Sequence, residues 1–213
     1  MRSLALSALL LASAGVAQTS TPARPAAAPT FAPVPYLSAT PVRTFKEPAW
    51  VVNPAKTYRA VLKTSKGDVT VELYARQAPK AVNNFVFLAL NHFYDGTRFH
   101  RVIEGFMAQG GDPTGTGTGG SQMPDLPAEF SPPAKARFLR GVCGMARTQN
   151  PNSANSQFFI MFGPYPSLDG QYTIWGRVTS GMELVDKIKR GAGSSGQVQN
   201  PDRIVKMRPA GAA

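Results

Sequence analysis

The run Phe99-His100-Arg101-Val102-Ile103-Glu104-Gly105-Phe106-Met107-Ala108-Gln109-Gly110-Gly111 sets an arginine inside an apolar stretch. A Phe-Met pair follows a glycine, and a glutamine leads into a glycine-rich loop. Burying an unpaired charge costs on the order of several kcal/mol, so a core strand has no use for Arg101. Either a carboxylate pairs with it, or the strand presents it to a ligand on a mostly apolar surface. Further along, Phe159 and Leu168 could join Phe106 and Met107 in a small hydrophobic pocket, and Gln157 adds to the hydrogen-bonding groups of Gln109 and Arg101. No strong nucleophile is among them. Such a set suits binding a peptide through a small apolar ring, and a reaction without covalent chemistry. Taken singly, each Phe or Met reads more simply as ordinary core.

Other chemistries fit poorly. No serine sits in a G-x-S-x-G elbow, His92 closes a helix, and His100 falls on the opposite strand face from Arg101. The carboxylates are scattered, and Asp169-Gly170 reads as a turn. Cys143 is the one cysteine, so no intrachain disulfide and no thiolate metal cluster can form, and with two histidines in the chain no histidine-based zinc site is expected. Thr114 to Gly120 lacks the lysine and following helix of a phosphate loop and reads as a surface loop.

The elements that must position these residues follow from pattern. The chain has 213 residues, 43% apolar and 16% charged, which is the balance of a globular protein. Met1 to Gln18 reads as a secretory signal: Arg2, an apolar run from Leu4 to Val16, and cleavage after Ala17. This gives a signal peptide over 1–17 and an extracytoplasmic location, periplasmic or secreted, with no membrane attachment once the signal is removed. Residues 18–55 form a Pro/Ala-rich linker, extended because its prolines cannot sit inside regular elements, with Phe45, Trp50, Val51 and Val52 lying against the domain.

Period-two alternation on either side of Ser65-Lys66-Gly67 predicts a hairpin, and Val82, Phe85, Val86, Ala89 and Leu90 after Pro79 predict a helix with one apolar stripe. The Arg101 stretch is expected as one strand bent at Gly105. Alternation would put Phe106 and Met107 on opposite faces unless that strand twists or bulges. Short strands are expected at Gly141 to Ala146, Phe158 to Met161, Tyr172 to Val178 and Ile204 to Met207. Ser180 to Glu183 reads as a capping box before a second helix, with Lys187, Lys189 and Arg190 at its end. Many short strands with two isolated helices indicate an antiparallel sheet or barrel.

The run FHRVIEGFMAQGGD, followed by GMAR, NSQFFI and LDGQYTIWGRV, resembles the cyclophilin family of peptidyl-prolyl cis-trans isomerases over Lys56 to Met207. The resemblance implies a mainly β fold, a closed eight-stranded antiparallel β-barrel capped by two α-helices, with the isomerase domain at 56–209 and a tail at 210–213. It implies Arg101 as the catalytic arginine. Phe106, Met107, Phe159 and Leu168 would form the proline pocket, with Gln109 on the substrate backbone. Ala146 and Arg147 would meet the residue preceding proline, and Gln157 and Tyr172 would line the groove. No cofactor and no metal are implied.

Three positions depart from the familiar eukaryotic pattern. Ser167 replaces a tryptophan, Tyr172 a histidine and Arg147 an asparagine, and the loss of the tryptophan donor implies weak cyclosporin binding. Expected partners are proline-containing peptides and unfolded proteins. The net charge of +11 adds anionic envelope polymers, although the absence of Lys/Arg blocks argues against specific nucleic-acid binding. A monomer is expected. The alternative is a non-catalytic peptide-binding chaperone module of the cell envelope.

Overall fold

Residues 29–212 are described by the structure, a computed structural model; the expected signal peptide and the first part of the expected linker lie outside the described residues. The predicted hairpin is β2 (Tyr58–Thr64) and β3 (Gly67–Leu73). Tyr58, Ala60 and Leu62 point to the same interior as Val69, Val71 and Leu73, while Arg59, Lys63, Asp68 and Glu72 face out. Alternating burial of this kind fixes the register, since a one-residue slip would turn the apolar row to water.

The first helix, α1 (Pro79–Leu90), begins on its proline, and Glu129 accepts hydrogen bonds from the N–H groups of Lys80 and Ala81 at 3.0 and 2.8 Å. That carboxylate satisfies donors every helix start leaves free and meets the positive end of the helix. Residues 81–90 are buried all the way round, not along one stripe. On the sheet side, Phe85 packs on Trp175 and Phe158 at centroid distances of 4.2 and 5.9 Å.

The other side of α1 is covered by the Pro-rich segment. Asn83 Oδ1 accepts from the N–H groups of Val51 and Val52, Leu37 N–H donates to Leu90 O, and Phe45 meets Phe87 edge-on at 5.1 Å. Val52 is buried, whereas Trp50 stays 58% exposed. Upstream, β1 (Phe31–Pro33) pairs with the last strand.

The remaining strands are β4 (Arg101–Ile103), β5 (Met107–Gly110), β6 (Val142–Met145), β7 (Phe158–Met161), β8 (Ile174–Ser180) and β9 (Ile204–Ala212), the last running on through residues read as a tail. They form one antiparallel sheet of nine strands in the order β1-β9-β2-β3-β8-β6-β7-β5-β4. The expectation of a closed eight-stranded barrel is therefore corrected. A ninth strand comes from the Pro-rich segment, and the end strands β1 and β4 do not pair. Where a closing ladder would run, β4 is only three residues long and faces an irregular segment. Single bonds from Val198 N–H to His100 O and from Val102 N–H to Gly196 O take the ladder's place.

The second helix, α2 (Met182–Val185), is a single turn, and the capping box is not formed. Ser180 is held in β8 opposite Thr70, Gly181 is the N-cap at φ 85°, and no side chain caps the helix. Lys189 and Arg190 lie beyond the helix end and serve tertiary contacts, Lys189 Nζ to Gln199 O and Arg190 to Glu104.

Two apolar clusters fill the interior. The larger lies between α1 and the sheet. The smaller, made of Met107, Phe138, Val142, Phe159, Met161 and Ile174, lies beneath the surface where the candidate residues meet.

Candidate active site

The Arg101 stretch is a hairpin, not one bent strand. Glu104, Gly105 and Phe106 make the reversal, Gly105 at φ 70°, with Phe106 N–H donating to Ile103 O. A positive φ is open to glycine and strained for other residues. The reversal sets Arg101 opposite Gln109 and Ile103 opposite Met107. It also resolves the alternation problem: Phe106 belongs to the turn and Met107 to the returning strand, so both reach one pocket.

That pocket has a volume of about 240 Å³ and is lined by Arg101, Phe106, Met107, Gln109, Ala146, Arg147, Phe159, Leu168 and Tyr172. The structure thus gathers nine of the ten residues singled out from the sequence. The tenth, Gln157, lines an adjoining depression of about 620 Å³, which shares Gln109, Ala146 and Arg147 with the pocket.

The pocket floor is apolar and stiff. Met107 and Phe159 are buried; Phe159 lies 5.6 Å from Phe138 and meets Tyr172 edge-on at 5.8 Å. Phe106 packs against Tyr165 at 4.4 Å. Leu168 sits in a short turn over Pro166–Leu168, followed by Asp169, whose carboxylate accepts from Phe138 N–H at 2.7 Å. Phe138 and Gly144 escaped sequence reading. A Cβ on Gly144 would come within 2.7 Å of Phe159 Cε2 and 2.8 Å of Phe138 Cε1, so the glycine makes room for both rings. A lone sequence carries no signal for that contact, which forms between strands.

The rim is polar and connected. Arg101 is half-buried; its Nε donates to Ser195 O at 3.0 Å and Nη1 to Gln109 Oε1 at 3.3 Å. It has no carboxylate partner among the described residues. Of the two readings left open by the sequence, the structure therefore has the arginine presented at a pocket. Gln109 Nε2 donates to Gln157 Oε1 at 2.9 Å, and Gln157 Nε2 donates to the carbonyls of Gly117 and Gly119, each at 2.9 Å.

The loop at the end of this relay is wound around Asp112. Its carboxylate accepts from the N–H groups of Thr114, Gly117 and Gly119 and from the Thr114 hydroxyl. Burial pushes the Asp112 pKa up, but these hydrogen bonds outweigh it and hold the group below the usual carboxylate value. Relay and loop keep Arg101 and Gln109 oriented before any ligand arrives. Next to them, His100 is buried with neither ring nitrogen hydrogen-bonded, and burial lowers its pKa against the pull of Asp112.

No group of three or more His, Cys, Asp or Glu side chains among the described residues could hold a metal ion. Cys143 is buried, which pushes its thiol pKa up, away from nucleophilic use. The arrangement can seat a small apolar ring while a fixed guanidinium faces the atoms at the pocket mouth.

Residues 59–209 match the family model described as cyclophilin type peptidyl-prolyl cis-trans isomerase/CLD. A probable peptidyl-prolyl cis-trans isomerase of Brucella suis is 54% identical over 158 residues, covering 68% of this chain and 79% of that protein. A peptidyl-prolyl cis-trans isomerase of Helicobacter pylori is 47% identical over 139 residues, covering 64% of this chain and 84% of its own length. Among solved structures, a Cryptosporidium parvum cyclophilin type peptidyl-prolyl cis-trans isomerase, crystallised in the presence of the dipeptide Ala-Pro, superposes with a TM-score of 0.65 at 34% identity. It covers 70% of this chain and 96% of that one.

Proposed function

The chain belongs to the cyclophilin type peptidyl-prolyl cis-trans isomerase family and is an enzyme of that class; from this premise we propose that Arg101 drives the isomerisation of X-Pro bonds seated in the 240 Å³ pocket, and that the substrates are unfolded proteins outside the cytoplasm. An X-Pro bond resists rotation by about 18–20 kcal/mol because the amide C–N bond has double-bond character. Twisting it removes the resonance and leaves a lone pair on the prolyl nitrogen. A donor aimed at that nitrogen stabilises the twisted state more than the planar one, which lowers the barrier. Phe106, Met107, Phe159 and Leu168 hold the ring while the acyl side turns, and Gln109 holds the backbone.

The observation that carries this reading is an arginine with no carboxylate partner among the described residues, fixed at the mouth of a pocket whose floor is apolar. Its test is turnover of an Ala-Pro peptide in a protease-coupled assay. Arg101→Ala is expected to lower turnover by about two orders of magnitude, the scale of one lost transition-state donor; wild-type rates in that variant would overturn the assignment. The extracytoplasmic part rests on Arg2 and the apolar run from Leu4 to Val16. Recovery of mature protein beginning at Gln18 outside the cytoplasm supports it, and full-length protein retained in the cytoplasm refutes it.

A further inference from the structure

Arg147 stands on the wall shared by the ring-sized pocket and the larger depression. We propose that it makes the enzyme favour substrates with an acidic side chain at one of the two residues preceding proline. The inference rests on the pocket reading above and adds a substrate class to it.

The Arg147 guanidinium is immobilised. Nε and Nη2 donate to Gln171 O at 3.1 and 2.9 Å, and Nη1 donates to Thr148 O at 2.8 Å and Gln149 O at 3.2 Å. Its carbon lies 4.3 Å from the Tyr172 ring centroid and 5.9 Å from that of Phe130. Four of the five N–H donors are thus engaged, every acceptor is a neutral main-chain carbonyl, and one N–H on Nη2 is left. No carboxylate among the described residues pairs with it, so the whole positive charge is retained. An ordinary surface ion pair is weak partly because two long side chains must be ordered to make it. Here one partner is ordered in advance.

Gln109 is hydrogen-bonded to Arg101 and lines both cavities. The two cavities meet at Gln109, Ala146 and Arg147, so the residues before proline, taken in this proposal to run from the pocket into the larger depression, cross the wall formed by Ala146 and Arg147. Asp125, which lines the larger depression, already accepts from Asn155 Nδ2 at 3.2 Å.

The test uses the full chain and peptides that differ only at those two positions, carrying Glu, Ala or Lys, with kcat/KM and Kd measured for each. At low ionic strength the Glu peptide is expected to exceed the Lys peptide in kcat/KM by about two- to fivefold, the upper part of the range for an exposed ion pair. The ratio should shrink as salt screens it. Arg147→Gln should bring the ratio close to one, and Arg147→Lys should restore part of it. Because the readout is a ratio within each variant, a general loss of activity does not move it, and the salt titration of wild type stands if a variant fails to fold. A wild-type ratio of one or below, a ratio indifferent to salt, or a ratio preserved in Arg147→Gln would overturn the proposal. Absence of turnover for all three peptides would strike the pocket reading instead, and the Kd ratio would still decide the charge preference.

Discussion

Gly144→Ala probes the pocket from behind without replacing any residue that lines it. The new methyl group would lie 2.7 Å from Phe159 Cε2, closer still to Cζ of the same ring, and 2.8 Å from Phe138 Cε1. Neither ring can yield freely. Phe138 is 1% exposed and its N–H is tied to Asp169, while Phe159 is 5% exposed and is flanked by Phe138 and Tyr172. Overpacking a core of this kind costs about 1–3 kcal/mol. The least confined movement is that of Phe159 into the 240 Å³ pocket it lines, so the pocket narrows as the fold loses stability. Urea unfolding should show a lower midpoint with an unchanged slope, and the isomerase assay should show a raised KM for a proline peptide. Phe159→Leu in the Gly144→Ala background should recover stability, because two contacting residues are not additive. Gly105→Ala is the contrast: its Cβ meets nothing within 4 Å, but φ is 70°, so it should cost about 1–2 kcal/mol through the backbone alone, with no rescue from Phe159→Leu. Wild-type stability and KM in Gly144→Ala would refute the packing argument.

Two further outcomes follow from the fold. His100 is buried with its pKa lowered, so the unfolded chain takes up a proton more readily than the folded one. Stability is therefore full above the ordinary imidazole value of about 6.5 and falls as pH drops below it; urea midpoints from pH 8 to 5 should show this slope, and His100→Gln should flatten it. Removing the chain before Lys56 uncovers the outer side of α1, where Val52 is buried and Phe45 and Val51 pack. The loss should be on the order of 2–4 kcal/mol by area of apolar surface re-exposed, and an unchanged urea midpoint would show that the arm contributes nothing.

Local patterns were legible where one element explains itself. The β2–β3 hairpin follows from alternation on both sides of Ser65-Lys66, and α1 follows from Pro79 and the spacing of Val82, Phe85, Val86 and Ala89. Where two segments have to meet, the sequence was silent. Phe87 falls off the apolar stripe, and its burial makes sense only once Phe45 of the Pro-rich arm lies against it. Ser180 matches a capping box by type, yet pairing with Thr70 claims it for β8. The strand expected around Gly105 is a reversal because its two halves pair with each other, and a single glycine does not distinguish a bend from a turn. Arg101, Phe106, Met107, Gln109, Gln157, Phe159 and Leu168 stood out by residue type, whereas Ala146, Arg147 and Tyr172 were named only through family motifs. The groups that hold them (Asp112 gathering its loop, Gly144 beneath Phe159, Gln171 anchoring Arg147) act through contacts distant in sequence or through main-chain atoms, which residue type does not encode.

The central claim is that the Arg101 guanidinium stabilises the twisted amide more than the planar one. The most direct measurement is the split between turnover and affinity, with exchange rate and Kd for one proline peptide both taken from NMR line shapes on wild type, Arg101→Ala and Arg101→Lys. Turnover should fall by about two orders of magnitude in Arg101→Ala while Kd changes only a few-fold, and Arg101→Lys should fail to restore the full rate because a point ammonium lacks the planar fork. Equal losses in rate and affinity, or an undiminished rate in Arg101→Ala, would contradict the account.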